Sequence, residues 1–218
     1  MAELSRCAWC NLSAKAEAFQ VCDSCDWTTK VDEDLRSERV VRYCVRYCSK
    51  ECREQDSKYH QLLCKKLKPF VDANPRESFF YHLALLLPET GEPELIWMRF
   101  SRQQCDEYPD PYAITGAKEV KHLQASYDLE RQRPEPRNKL DHNLLVLVQD
   151  DPQPVSINAC ITKIVNGTSG HTWKGPIIVC SQEGRYYQPP YPGDLLPYQD
   201  FLLSDLRVAF EFFRDIKL

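Results

Sequence analysis

At 218 residues and 43% hydrophobic, the chain is long enough to bury a real core, either as one ordinary domain or as a small module plus a larger one. A formal net charge of −4 weighs against the strongly basic surface that neutralises phosphates, so nucleic acid is not the expected partner. No stretch reaches the roughly 18 apolar residues of a membrane span, and the start "MAELSRCAWC" lacks the basic and apolar regions of a signal peptide. A soluble intracellular protein, cytoplasmic or nuclear, is expected, with no membrane contact. In that reducing setting 11 cysteines point to metal ligation before disulfides.

The chain opens on two C-x2-C knuckles, "CAWC" (Cys7, Cys10) and "CDSC" (Cys22, Cys25). The short loop of each lets two thiolates grip one ion, which is half a tetrahedral site. "WTTKV" and "RVVRYC", flanking the acidic "DEDLRSE", then read as an extended hairpin. The stretch "RYCVRYCSKECREQDSKYHQLLC" (42–64) sets Cys44, Cys48, Cys52, His60 and Cys64 on a grid of four-residue steps, with only the Asp56 step unfilled. Such steps put successive ligands one helical turn apart, so Cys48 with Cys52 and His60 with Cys64 form the other half-sites. Cys52 and His60 lie about 12 Å apart along a helix, too far to share an ion whose ligand bonds are roughly 2.0–2.3 Å. Two zinc ions are therefore expected, one held by four cysteines and one by three cysteines and a histidine. Protein ligands fill every position, which leaves no open place for hydrolytic chemistry. Each ion should contribute roughly 10–16 kcal/mol to folding a segment too small and polar to build a core alone.

Eight of the cysteines precede residue 65, whereas Cys105, Cys160 and Cys180 are scattered beyond it. The boundary falls near "KKLKPFVDANPRES", where Pro69 and Pro75 should interrupt a continuous helix and Asn74 with Pro75 should open the next one. Residues 1–68 are thus the cysteine-rich module and 75–218 a companion domain. Phe79, Phe80, Leu83, Leu86 and Leu87 recur at helical spacing up to Pro88, predicting a short amphipathic helix. "ELIWMRF" (94–100) predicts a strand, "KEVKHLQASYDLERQ" (118–132) a helix and "RPEPRNK" a polar loop. "NLLVLVQ" (143–149), "INACITKIV" (157–165) and "WKGPIIVCS" (173–181) predict buried strands of one sheet, with Asn166-Gly167-Thr168 as a turn. "SDLRVAFEFFRDI" predicts a closing helix capped by Ser204, its apolar face, Leu206, Ala209, Phe210, Phe213 and Ile216, set against that sheet.

"YCSKEC", followed by seven residues, a histidine, three residues and a cysteine, resembles the second half of the MYND-type zinc finger, and the two knuckles match its first half. The resemblance covers residues 7 to 64. It implies interleaved wiring, with Cys7, Cys10, Cys48 and Cys52 on one zinc and Cys22, Cys25, His60 and Cys64 on the other. Cys44 is then the spare thiol. It also implies a protein partner, since some members of the family take short proline-and-leucine peptides in a groove. Three departures weigh against carrying that mode over: Arg53 stands where the family usually has glutamine, Ser57 where it has tryptophan, and Gln61 where it has lysine. The stretch between Cys25 and Cys48 is also longer than usual. Further on, "HTWKGPIIV" and "YQDFLLSDLRVAFEFF" are similar to a module found behind MYND fingers in fungal proteins, which implies a fungal source and an α+β companion but supplies no reaction. The expected fold class is α+β, a small N-terminal double-zinc MYND finger followed by a mixed domain with a small sheet and packing helices.

No catalytic or organic-cofactor residues are assigned. The lysine methyltransferases that carry MYND fingers have a G-x-G turn and an asparagine–histidine–serine–cysteine signature, both missing from this sequence. Cys160 and Cys180 fall in apolar runs where a thiol is inert, and His82, His122, His142 and His171 read as structural or exposed. The tyrosines at 186, 187, 191 and 198 are either a binding edge or loop packing. The leading expectation is a zinc-binding adaptor for protein partners, acting in transcription or protein turnover. The alternative makes residues 75–218 an enzyme or small-molecule-binding domain regulated by the finger; nucleic-acid binding through the arginines of "RSERVVRYCVRYC" comes third.

Overall fold

The computed structural model describes residues 4–10, 12–34, 37–78, 80–103, 106–109, 120–123, 142–149, 156–167, 169–182 and 198–216. The chain forms two compact units, one comprising Met1–Phe79 with Leu202–Arg207, the other Phe80–Asp128, Asp141–Phe201 and Val208–Leu218. Helix and sheet are mixed, in an α+β chain.

The first unit contains three two-stranded antiparallel sheets. Strand β1 (Leu4–Arg6) pairs with β2 (Ser13–Lys15), β3 (Gln20–Val21) with β6 (Arg46–Tyr47), and β4 (Trp27–Asp34) with β5 (Ser37–Tyr43). The last pair is the expected hairpin, and at its base Trp27 stacks on Tyr43 with ring centroids 4.6 Å apart. Two helices follow. Helix α1 (Lys50–His60) starts at Ser49, whose extended backbone and hydroxyl, accepting the Cys52 N–H at 3.3 Å, satisfy one of the donors that every helix start leaves open. Helix α2 (Cys64–Ala73) carries Pro69 within it, so the expected break there does not occur: the helix forgoes only the bond that a Pro69 N–H would have made to the preceding turn. Asn74, expected to open a helix, closes this one, its backbone N–H and side-chain amide both bonding the Phe70 carbonyl at 2.9 Å. Residues 75 to 77 continue without helix.

The second unit is built on a seven-stranded antiparallel sheet in the order β10-β11-β12-β7-β8-β9, with β13 also pairing β12. Its strands are β7 (Tyr81–Leu87), β8 (Glu94–Gln103), β9 (Asp106–Pro109), β10 (Val120–Leu123), β11 (Asn143–Gln149), β12 (Ile177–Gln182) and β13 (Tyr198–Gln199). Every residue of β12 is buried. Ala84, Met98, Phe100, Leu145, Leu147, Ile178 and Cys180 pack together, while the alternate residues Leu83, Leu85, Val146 and Val179 are also buried. Central strands covered on both faces are apolar at every position and lose the alternation that marks a strand. For this reason "YHLALLL", expected as a helix, is strand β7. The turn from β7 to β8 contains Gly91 at φ 101°, a conformation glycine adopts without a Cβ penalty.

Two further expectations are corrected. The part of 118–132 described here, Val120–Leu123, is strand β10, held in register by β11 (His122 opposite Leu147); the remainder lies outside the described residues. "INACITKIV" is a short helix, α3 (Ala159–Ile164), and so is not part of the sheet. Asn158 decides it, accepting the Ile161 N–H at 2.8 Å and donating its amide to the Leu87 and Gly175 carbonyls at 3.0 and 2.7 Å. Asn166 and Gly167 in the left-handed region stop the helix. The closing helix α4 (Leu206–Asp215) forms as expected, but Ser204 does not cap it: the residue lies in a 3-10 turn, Leu203–Asp205, where the Asp205 carboxylate accepts the Leu202 N–H at 3.1 Å. At the other end the Phe213 carbonyl accepts the Trp173 indole N–H and the Ser169 hydroxyl, and the Arg214 carbonyl accepts the Gly170 N–H. These bonds satisfy carbonyls that the helix end leaves open.

Candidate metal centre

Two sets of ligands converge in the first unit, Cys7, Cys10, Cys48 and Cys52 in one and Cys22, Cys25, His60 and Cys64 in the other, with all ligand atoms of a set within 4.8 Å of one another. Each set joins one knuckle to one pair from the later grid. The segment between them does the bracing: the Val45 carbonyl takes the Cys22 N–H at 3.0 Å and the Arg46 carbonyl takes the Ala8 N–H at 2.8 Å. One extended run thus fastens both knuckles before the chain delivers Cys48. The grid is not one continuous helical face. Cys48 lies in the bend before α1, Cys52 in its first turn and His60 at its end; a three-residue turn follows, and Cys64 opens α2. Leu63, fully buried in that turn, redirects the chain.

The spacing of the ligand atoms suits a metal ion. The Sγ atoms of Cys48 lie 3.4 Å from Cys10 and 3.5 Å from Cys52, and Cys22 lies 3.5 Å from Cys64. His60 turns Nε2 to its set, 3.2 Å from Cys22 and 3.7 Å from Cys25. Thiolates about 2.3 Å from a tetrahedral centre stand roughly 3.8 Å apart, close to these values. His60 Nδ1 is buried without a hydrogen-bond partner among the described residues. Cys22, Cys25, His60 and Cys64 are all buried, whereas three of the four ligands in the all-cysteine set are half-buried.

Crowding and burial pull the proton affinities of these thiols apart. The Cys64 thiol is pulled down to about 4, first by the hydrogen bond it accepts from Cys25 and then by His60 and Cys22, against its burial. Cys25 is pushed far up, by that same bond to Cys64, by burial and by the charges of Cys22 and Cys64. In the other set burial raises Cys48 and Cys52, with the hydrogen bonds that Cys48 donates to Cys10 and Cys52 raising Cys48 further. Burial alone would raise Cys7, but the backbone N–H groups of Cys10, Cys48 and Trp9 bring it down. So many thiolates at 3.5 Å can all ionise only around a cation, and the two sets can each hold a metal ion.

The empty Asp56 step has a different use, one that spacing alone did not reveal. Asp56, 2% exposed, accepts the Tyr47 hydroxyl at 2.7 Å, and the Tyr47 ring meets His60 edge-on at 6.2 Å. Burial, followed by the Asp56 charge, pushes the Tyr47 hydroxyl far up, so it stays a donor. The sequence signal was available: Asp56 falls between Cys52 and His60 on the same face. Cys44, half-buried just past β5, belongs to neither set. Beside the mixed set opens a cavity of about 490 Å³, floored by Cys22, Tyr47, His60 and Cys64.

In the second unit, His82 lies on strand β7, its Nδ1 3.8 Å from Asp200 and its ring edge-on to Phe100. His122 is on β10, His142 is buried before β11 and His171 packs on Trp173. Cys180 is wholly buried, which pushes its thiol up and keeps it inert; Cys160 is buried at the start of α3, not in a strand. Cys105 and residues 183–197, with Tyr186, Tyr187 and Tyr191, lie outside the described residues. Among the described residues no helix is long and apolar enough to cross a membrane. No protein family, curated protein or solved structure matches the chain.

Proposed function

We propose that the two sets hold structural zinc, that the first unit is a MYND-type finger, and that the protein is an adaptor recognising a protein partner in transcription or protein turnover. The observation that carries the reading is the closure of both sites: each draws four ligands from two distant stretches of chain and keeps no open position for substrate. When bound, zinc supplies the cross-link and the balancing charge. The chain's own residues do the rest, with Ser49 setting the helix start, the Val45 and Arg46 carbonyls fixing the knuckles, and Tyr47 with Asp56 joining the strand to the helix between the two sites. Nucleus and cytoplasm both suit such a role, and a fungal source agrees with the C-terminal resemblance.

Native mass spectrometry of chain purified under reducing conditions should find two zinc ions; fewer would refute the eight-ligand assignment. A comparison of extract proteins captured by the intact chain and by a Cys22→Ser, Cys25→Ser variant tests the adaptor. A partner retained only by the intact chain supports it. Equal capture by both would reduce the finger to a folding scaffold.

A further inference from the structure

The two ligand sets differ in exposure. Cys22, Cys25, His60 and Cys64 are all buried, whereas Cys10, Cys48 and Cys52 of the all-cysteine set are half-buried and only its Cys7 is buried. They differ in charge as well. A divalent ion among four thiolates leaves two negative charges, and among three thiolates and a neutral imidazole only one, so the sulfurs of the all-cysteine set keep more charge and attack an electrophile more readily. Cysteine oxidation follows thiolate character and access, and both favour that set. Within it Cys48 is the common neighbour, its Sγ 3.4 Å from Cys10 and 3.5 Å from Cys52. An S–S bond is about 2.0 Å long, so either partner reaches Cys48 by a side-chain shift of about 1.5 Å. Separation alone does not choose between the sets, because Cys22 and Cys64 also stand 3.5 Å apart. These two, however, are only 7% and 5% exposed.

We infer that the all-cysteine set is a site of reversible oxidation by hydrogen peroxide, which joins Cys48 to Cys10 or Cys52 in a disulfide while the buried set keeps its ion. The inference rests on the zinc reading. In the first step one thiolate attacks a peroxide oxygen; the S–O bond forms as the O–O bond breaks, and the departing hydroxide takes a proton to become water. The second thiolate then attacks that sulfur, the S–S bond forms, the S–O bond breaks and a second hydroxide leaves as water. Two thiolates have given two electrons to one peroxide. The set drops from four ligands to two, too few to close a structural site. The effect is local, because α1 joins both sets, with Cys52 in its first turn and His60 at its end. Loss of the first set frees the first knuckle and the helix start, while His60 and Cys64 still tie the end of α1 to α2.

The test treats the full, zinc-loaded chain, freed of reductant, with hydrogen peroxide in steps and follows it by native mass spectrometry, peptide mapping of disulfides and amide exchange. One ion should leave before the second is measurably lost, and the map should show Cys48 linked to Cys10 or Cys52. Exchange should quicken in β1, β2 and the first turn of α1 but not in β3 or α2. Dithiothreitol with added zinc should restore the lost ion. The Cys44→Ser variant should give the same ion count and the same map. Loss of both ions together, oxidation first at Cys22 or Cys64, a disulfide that requires Cys44, a loss that reductant does not reverse, or two ions retained throughout would each overturn the inference and leave the zinc reading standing. Fewer than two ions before any peroxide is added would refute the zinc reading, and this inference with it.

Discussion

Asp56 shows how residue identity and position divide the work in the cysteine-rich unit. It sits on the ligand face of α1 yet carries a hydrogen bond, not a metal, because its neighbours one turn away already belong to two different sets. Cys44 is the converse, a residue of ligand type on the four-residue grid but in neither set. Native mass spectrometry separates the two roles. Cys52→Ser should remove one ion and leave the other, because a serine hydroxyl does not replace a thiolate, and Cys44→Ser should leave both. Loss of metal from the Cys44 variant would place that thiol in a site. The two knuckles and the two later pairs are legible in the sequence because ligand spacing is a local property. Which knuckle meets which pair is not local; it depends on the run 45–47, whose backbone reaches both knuckles.

At the scale of elements, local pattern misled wherever burial was two-sided or one polar residue outweighed the apolar run. Strand β7 shows helical spacing of leucines only because nearly every position is apolar, and its pairing with β8 and β12 resolves the ambiguity. In α3 the β-branched residues suggest a strand, yet an asparagine cap at one end and Asn166-Gly167 at the other enclose a helix of six residues. Those punctuating residues were readable and deserved more weight than β propensity, which is a weaker and more context-dependent signal. Asn158 is fully buried and makes three hydrogen bonds across α3, β7 and the Gly175 turn. Asn158→Ala should cost about 2–4 kcal/mol, by loss of the cap and desertion of two buried carbonyls. Asn158→Ser, which keeps a capping oxygen, should recover about 1 kcal/mol of that. Urea unfolding measures both, and a cost below about 0.5 kcal/mol for the alanine would show that the network is dispensable.

For the whole molecule, the two units differ in what can hold them together. The second has a sheet buried on both faces, with Leu83, Leu85, Ile177 and Val179 at 1% exposure or less, and each such side chain contributes about 1.5–3 kcal/mol by leaving water. The first has three two-stranded sheets, which are marginal alone, and its buried residues include five of the eight ligands, Cys7, Cys22, Cys25, His60 and Cys64. Metal removal should therefore act on one unit. With a zinc chelator under reducing conditions, amide exchange should become fast in residues 4–73 while β7, β8, β11 and β12 keep their protection. Loss of protection in the sheet as well would mean that the metal sites hold both units.

The sequence by itself determined the donor chemistry, the number of metal sets, the hairpin, the strands read at 94–100, 143–149 and 173–181 and the closing helix, because each is written in neighbours a few positions apart. Only the tertiary structure decided the partners: that the Val45 and Arg46 carbonyls reach both knuckles, that Asp56 braces Tyr47, and that the leucines of β7 form a strand. The reason is physical. Spacing along a chain fixes which groups share a face, but what that face meets depends on contacts between residues far apart in sequence, and no local period records them.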